Sequence, residues 1–406
     1  MRRFVPETAT AAILFLGWFL SYFDRFVINI ALPFVGREFH LTAASEGLLL
    51  SVFFAGYSIA QIPGGWLADR VGARRVMVFS VVMLSAFTAL TGLAWSFASL
   101  LLVRFLFGLA EGGFPSASFR ALSDYFPRQR RSKVQAVLLA SNPLALVLAP
   151  VLGALMTVWL SWRGMFIAVA AVGLATAVLY ARGLPAVPKP EREASSSRDP
   201  LVRVLRSPSI WKLCAVNFML NVLIWGFLSW LPSYLLKVHK LDLLHAGLYA
   251  SLPGFAGIIG MLSGGWLADG WFAQRERYLL IAAVAVCALC LVVMVNVTLL
   301  PVVLLCQTSI AFSLKLGFIA VWSLPLKFDD TAASGSIAGV INMGSQFAGV
   351  VSPAAMGYLI ATSGGAYTGA FIFLIGCALV CIAVAMTLRD GPRQALAGQQ
   401  EMEPSR

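Results

Sequence analysis

The chain has 406 residues, of which 59% are hydrophobic and only 12% charged, with a mean hydropathy of +0.84. A soluble globular domain carries about 25% charged residues, so this composition excludes a water-soluble protein and requires a lipid surround. The net charge of +12 does not point to nucleic acid, because the basic residues punctuate apolar runs and form no patch interleaved with aromatics.

Apolar runs close to the ~20 residues that cross a bilayer core predict helices in two sets of six. The first set falls near 11–35, 46–68, 75–95, 98–120, 132–156 and 162–182. The second falls near 209–236, 243–268, 278–297, 301–326, 334–361 and 366–388. The first run continues through Asp24 and Arg25 without a small-residue cleavage pattern, so it reads as a retained helix and not a signal peptide. Between the sets lies a stretch rich in Pro, Ser and charge, which lacks the apolar surface to fold alone. The expected fold class is an all-α polytopic membrane protein with twelve transmembrane helices in two pseudo-symmetric six-helix bundles. The bundles are expected at 1–183 and 209–390, with a cytoplasmic linker at 184–208 and a disordered cytoplasmic tail at 391–406.

Basic residues orient the spans, since cytoplasmic loops collect Lys and Arg. With the N-terminus inside, cytoplasmic loops and ends hold 22 of the 30 Lys and Arg. Only Arg37, Arg163, Lys237 and Lys240 fall outside, while Arg25, Arg104, Arg120 and Lys315 lie within spans. Both termini are therefore expected in the cytoplasm. Arg far outnumbers Lys and no eukaryotic sorting tail is recognisable, which favours a bacterial inner membrane.

The phrase GGWLAD occurs at 64–69 and again at 264–269, each time ending the second helix of its half. An internal repeat of six helices is a transporter signature, because substrate can bind between two bundles that rock. The first copy continues as GGWLADRVGARR, which resembles the loop between the second and third helices of the major facilitator superfamily. The resemblance implies a conformational latch made of Gly65, Asp69, Arg70, Gly72 and Arg74. Its glycines let helices approach, and its charged groups bond neighbouring helix ends. The second copy runs on as Gly270-Trp271-Phe272.

Finer motifs resemble one branch of that superfamily, the anion:cation symporters of organic acids. They are SYFDRFVINIALP in the first helix, RFLFGLAEGGFPSASFRALSDYFP in the fourth and SWRGMF at the start of the sixth. WLPSYL in the seventh and GVINMGSQFAGVVSPAAMGY in the eleventh complete the set, in the expected order over most of the chain.

Ionisable residues at bilayer depth are costly and mark function by default. Arg104 and Glu111 stand two helical turns apart on one stripe, and Gly108 between them leaves room for a partner helix or a ligand. Pro115 is expected to kink this helix. The two charges form either a structural stitch or a proton site. Burial and a nearby cation act on a carboxyl's proton affinity in opposite senses, so a cation that moves switches it. Asp24 and Arg25 are adjacent, so their side chains diverge by ~100° and address different neighbours. Arg25 is expected in the central cavity as the cation for a substrate carboxylate, which its guanidinium fork matches. Asp24 joins Glu111 and Arg104 in the expected proton-coupling set.

The resemblance to sugar-acid carriers of the branch implies further substrate contacts at Tyr57, Asn142, Trp322 and Asn342. Asn142 stands where a glutamine is expected, and Ile319 and Val321 stand where those carriers tend to have hydroxyls. These departures favour a carboxylate less hydroxylated than a sugar acid. Lys315, near mid-span, either supplies a second cation to the substrate, snorkels, or pairs with a carboxylate.

The expected function is uptake of a small organic acid by proton symport with alternating access, in a monomeric, lipid-embedded carrier whose only cofactor is the coupling proton. Proton-antiport efflux of a drug or metabolite is the alternative. Antiporters of the superfamily usually carry Gly-Pro-x-x-Gly-Gly in the fifth helix, which here reads LVLAPVLGALM. No metal-ligand spacing or nucleophile–base set suggests an enzyme. Cys287 and Cys290 sit in an apolar run as inert thiols, and His40, His239 and His245 lie at outer loops or helix ends.

Overall fold

The computed structural model describes residues 7–185, 207–272, 275–323 and 334–388, without the side chains of Ile62, Asp69, Arg128, Ser132, Asp269 and 334–340. Most of the expected linker at 184–208, the tail at 391–406 and the last residues of the helix expected at 301–326 lie outside that set. All regular structure among the described residues is helical. The first half holds α1 (Glu7–Glu38), α2 (Ala43–Val71), α3 (Ala73–Gly92), α4 (Phe97–Tyr125), α5 (Arg128–Leu139) and α6 (Ser141–Gly183). The second holds α7 (Pro208–Lys237), α8 (Leu243–Asp269), α9 (Glu276–Asn296), α10 (Leu300–Ser323), α11 (Ser334–Thr362) and α12 (Thr368–Met386).

The fifth span runs past both ends of the helix expected at 132–156 and is broken within, while the turn before the sixth falls just ahead of the helix expected at 162–182. The chain is helical from Arg128, breaks at Ala140, resumes at Ser141 and turns only at Ser161, whose φ of 64° interrupts α6. That strained residue is held by its neighbours. Trp162 Nε1 donates to Glu38 at 2.8 Å, and Arg163 donates to the Gly92 and Ala94 carbonyls at 2.9 and 2.7 Å. α5 with the start of α6 makes the fifth span and the rest of α6 the sixth, which gives the twelve-helix transmembrane fold. Other boundaries have ordinary causes. Ser96 and Ser99 form a capping box at the start of α4. Gly72, at φ +92°, lets α3 begin one residue after α2 ends, a turn that L side chains resist.

The chain forms two compact units. One joins the described part of Met1–Glu193 to Phe227–Gly254 and Val350–Tyr367. Its tightest seam runs between α2 and α4. A Cβ at Gly56 would lie 2.3 Å from the Phe105 carbonyl oxygen, one at Gly108 2.2 Å from that of Phe53, and one at Gly112 2.4 Å from that of Tyr57. α1 packs on α6, where the Tyr180 hydroxyl sits over Gly17 and donates to the Leu14 carbonyl at 3.1 Å. Trp18 Nε1 ties α1 to α4 through Ser118 at 2.7 Å. In the same unit Lys237, at the end of α7, pairs with the buried Glu46 of α2 at 3.1 Å.

The other unit joins the described parts of Ala194–Gly226, Phe255–Gly349 and Thr368–Arg406. Here α8 meets α10 through Gly260, whose Cβ would lie 2.4 Å from the Phe312 carbonyl oxygen, and through Gly264 against Leu316 and Ile319. Asn217 of α7 bonds the Ile341 carbonyl and Ser345 of α11 at 2.9 and 2.6 Å. Large apolar side chains such as Leu262 (72% exposed) and Leu305 (67%) line its periphery, as a multi-pass membrane protein requires.

Candidate functional site

α1, α3 and α4 bring the intramembrane charges of the first unit together. Asp24, Arg25, Arg104 and Glu111 are all buried, with 5%, 9%, 2% and 0% exposure. Arg25 Nη2 donates to Glu111 Oε1, and Arg104 Nη1 lies 3.7 Å from Asp24 Oδ1. Neighbouring residues of α1 are thus tied to residues two turns apart on α4, a span that long arginine stems can bridge. Both pairs are charge-neutral. Losing either member would strand a buried charge, at a cost of about 3–5 kcal/mol.

Hydroxyls complete the network. Ser21, one turn before Arg25 on α1, donates to Glu111 Oε1 at 2.6 Å. Thr88 of α3 donates to Asp24 Oδ2 and lies 2.8 Å from the Leu84 carbonyl oxygen. Glu111 therefore has one bonded oxygen and one bare one, whereas Asp24 accepts from Thr88 on Oδ2 and faces the Arg104 guanidinium with Oδ1. Glu111 Oε2 and Asp24 Oδ1 are buried and have no hydrogen-bond partner among the described residues. A bare buried oxygen is where a carboxyl can hold a proton without breaking an existing bond. Aromatic rings surround the cations. The Arg25 guanidinium carbon lies 5.1, 5.0 and 4.8 Å from the ring centres of Tyr22, Phe53 and Tyr57, and that of Arg104 lies 5.1 Å from Phe107. Such contacts stabilise a cation without neutralising it.

Gly108, between Arg104 and Glu111, makes room for a partner helix, since its face meets Phe53 of α2. Pro115 lies inside a continuous α4. Asn142 is half-buried in the first turn of α6. Lys315, Trp322 and Asn342 belong to the other unit and are half-buried there, with Trp322 against the Phe318 ring at 6.1 Å. Of the expected latch, Arg74 donates to the Ala181 carbonyl at the end of α6, and Arg70 lies over Trp66 of its own helix at 4.1 Å. Gly65 faces Ser116, Gly72 forms the turn, and the Asp69 side chain lies outside the description. Ser21, Thr88, Tyr22 and Phe53 were not expected in the site. A hydroxyl in an apolar helix ordinarily bonds its own backbone, and nothing in its spacing signals a second partner.

The family model of the Major Facilitator Superfamily matches residues 14–353. Over 378 residues the chain is 32% identical to a protein of Cupriavidus necator named a probable sulfoacetate transporter, covering 87% of each. It is 29% identical over 385 residues to the hexuronate transporter of Bacillus subtilis, covering 90% of each. It is 28% identical over 416 residues to a probable galactarate/D-glucarate transporter of Escherichia coli, covering 91% and 90%. The crystal structure of a bacterial homologue of the human lysosomal transporter Spinster superposes with a TM-score of 0.82 at 18% identity, covering 94% and 96%, and so shares the fold. With this match over most of its length, the chain belongs to the Major Facilitator Superfamily, in the organic-anion branch, and is a membrane carrier and not an enzyme.

Proposed function

We infer that the protein takes up a small organic carboxylate by proton symport with alternating access. The observation that carries this reading is the pair of buried carboxyl–arginine contacts, each with one carboxyl oxygen that accepts no hydrogen bond among the described residues. The relatives, named for transport of sulfoacetate, hexuronate and galactarate, support a carboxylate as the cargo.

A proton arriving on Glu111 Oε2 removes the charge that balances Arg25. The guanidinium, still held among Tyr22, Phe53 and Tyr57, then lacks a counter-anion in a buried site, which is unfavourable until the substrate carboxylate supplies one. Proton and anion therefore bind better together than apart. Asp24 with Arg104 forms a second proton seat on the same principle. Tyr57, Asn142, Trp322 and Asn342 orient the rest of the substrate, and the halves rock to expose it on the other side. The latch of Gly65, Asp69, Arg70, Gly72 and Arg74 holds one of the two states. The setting is a bacterial inner membrane, with both termini cytoplasmic and a single chain as the working unit.

The test is uptake of a labelled carboxylate panel by the purified carrier in proteoliposomes under an imposed pH gradient. Accumulation should follow an acidic exterior and vanish in Glu111→Gln, while exchange of labelled for unlabelled acid persists. Uptake indifferent to the gradient would defeat the coupling, and transport of cationic drugs in place of carboxylates would favour efflux.

A further inference from the structure

Ser85, Thr88 and Thr91 of α3 are all buried. Ser85 and Thr91 donate to the carbonyl four residues back, at 2.7 and 2.8 Å, as hydroxyls in apolar helices ordinarily do. Thr88 makes the same contact, with the Leu84 carbonyl at 2.8 Å, and also reaches Asp24 Oδ2 on α1. A hydroxyl has one hydrogen and two lone pairs, so Thr88 Oγ1 cannot donate to both acceptors at once. It donates to Asp24 while Asp24 is a carboxylate. With a proton on Oδ2, the carboxyl donates to Thr88 Oγ1 and the hydroxyl hydrogen turns to Leu84. The Leu84 carbonyl is satisfied in either case, because it accepts the helical N–H of Thr88.

The other oxygen of Asp24 offers no such seat. Oδ1 faces Arg104 Nη1 at 3.7 Å, and a proton on it would point at a guanidinium, which only donates. Glu111 is built differently. Its Oε1 takes two donors, Ser21 at 2.6 Å and Arg25, and its Oε2 accepts no bond among the described residues. The charged groups that face Asp24 are Arg104 and Glu111 on α4, while its neighbour Arg25 turns to Glu111. α2, α3 and the fifth and sixth spans carry charged side chains only near their ends. Among the described residues, Thr88 is thus the uncharged group that bonds the Asp24 carboxyl.

We propose that Thr88 is the positioning residue of the second proton seat, its hydroxyl bonding Asp24 in both protonation states and keeping the proton releasable. This rests on the symport reading above and assigns a further residue within it. Burial favours the neutral acid, and Arg104, beyond hydrogen-bond distance, opposes that only through space. The Thr88 bond opposes it directly, since a hydrogen bond to a carboxylate is about twice as strong as one between neutral groups. The reversal keeps the acid form bonded as well. Loading and release then require the rotation of one hydroxyl hydrogen and no helix movement.

The experiment is an infrared titration of the carrier in proteoliposomes, where the Asp24 carboxyl band is the one lost in Asp24→Asn. In the wild type this band should rise and vanish reversibly with pH. Thr88→Val, which keeps the shape, and Thr88→Ala both remove the hydroxyl. Each should raise the proton affinity about tenfold, moving the midpoint up by about one pH unit. Thr88→Ser should hold the midpoint within about twofold of the wild type. The pH profile of labelled-acid uptake is the second readout. Thr88→Val should move it in the same direction, and should not move it in the Asp24→Asn background. Thermal unfolding checks that each variant is folded. Folded hydroxyl-free variants with an unmoved midpoint, a Thr88→Ser that shifts as far as Thr88→Val, or a profile shift that persists in the Asp24→Asn background overturn the proposal. A wild-type Asp24 band that never titrates also overturns it. A band that behaves as expected in a carrier whose uptake ignores the pH gradient overturns the symport reading and leaves the bond between Thr88 and Asp24 standing.

Discussion

At the scale of the residue, the proposed transport step is an exchange of counter-ions. Arg25 is neutralised by Glu111 and cushioned by three aromatic rings, so it can pass from one carboxylate to another without being hydrated between them. A lysine at this position would keep the charge but lose the fork and the flat face that stacks on Tyr57. Arg25→Lys should therefore fold normally and lower carboxylate uptake by about 10–100-fold, read as initial rates in proteoliposomes. The pairing itself is open to a stability measurement. Glu111→Leu leaves a buried guanidinium unpaired and should cost about 3–5 kcal/mol. The double replacement Arg25→Met with Glu111→Leu removes both charges and should recover most of that loss. A thermal-unfolding cycle in detergent that finds the two substitutions additive would show that the pair is not coupled.

At the scale of the element, backbone contact holds α2 against α4. Inserting a methyl at Gly108 or Gly112 forces it to within 2.4 Å of a carbonyl oxygen on the facing helix. Gly108→Ala and Gly112→Ala should each destabilise the protein by about 1–3 kcal/mol, since neither helix can yield without moving its neighbours. Gly65→Ala is the control, because a Cβ there would meet Ser116 only at an ordinary 3.5 Å and should leave the unfolding temperature unchanged. These elements also show what was legible beforehand. Hydropathy located the spans because a bilayer fixes their length and apolarity, and the doubled GGWLAD tied each copy to the end of α2 and α8. The break at Ala140 was not legible, whereas the turn at Ser161 falls in the gap between the helices expected at 132–156 and 162–182, where contacts with Glu38, Gly92 and Ala94 hold the bend. The adjacency of Asp24 and Arg25 required different partners. Which partner each takes depends on how α1 is rotated against α4, and no spacing within one helix records that.

At the scale of the whole molecule, a carrier that returns empty moves only the charge of its cargo and protons. In the proposed symport Asp24 and Glu111 are two proton seats, so the charge that crosses with them is set by the cargo. A dianion crossing with two protons is neutral, so the membrane potential has nothing to act on. Wild-type uptake of a dianion should then rise with the pH gradient yet stay constant when a potassium-diffusion potential is imposed. Asp24→Asn removes one seat and leaves the Thr88 contact with an amide. The cargo of that variant crosses with one net negative charge, and an inside-negative potential opposes it by about 2.3 kcal/mol per 100 mV. Its uptake should be slowed by roughly tenfold or more at that potential, while Glu111→Gln, which breaks the seat beside Arg25, abolishes driven uptake altogether. A wild type accelerated by an inside-negative potential would mean that more protons than substrate charges cross. The second carboxyl would then be working with a monoanion.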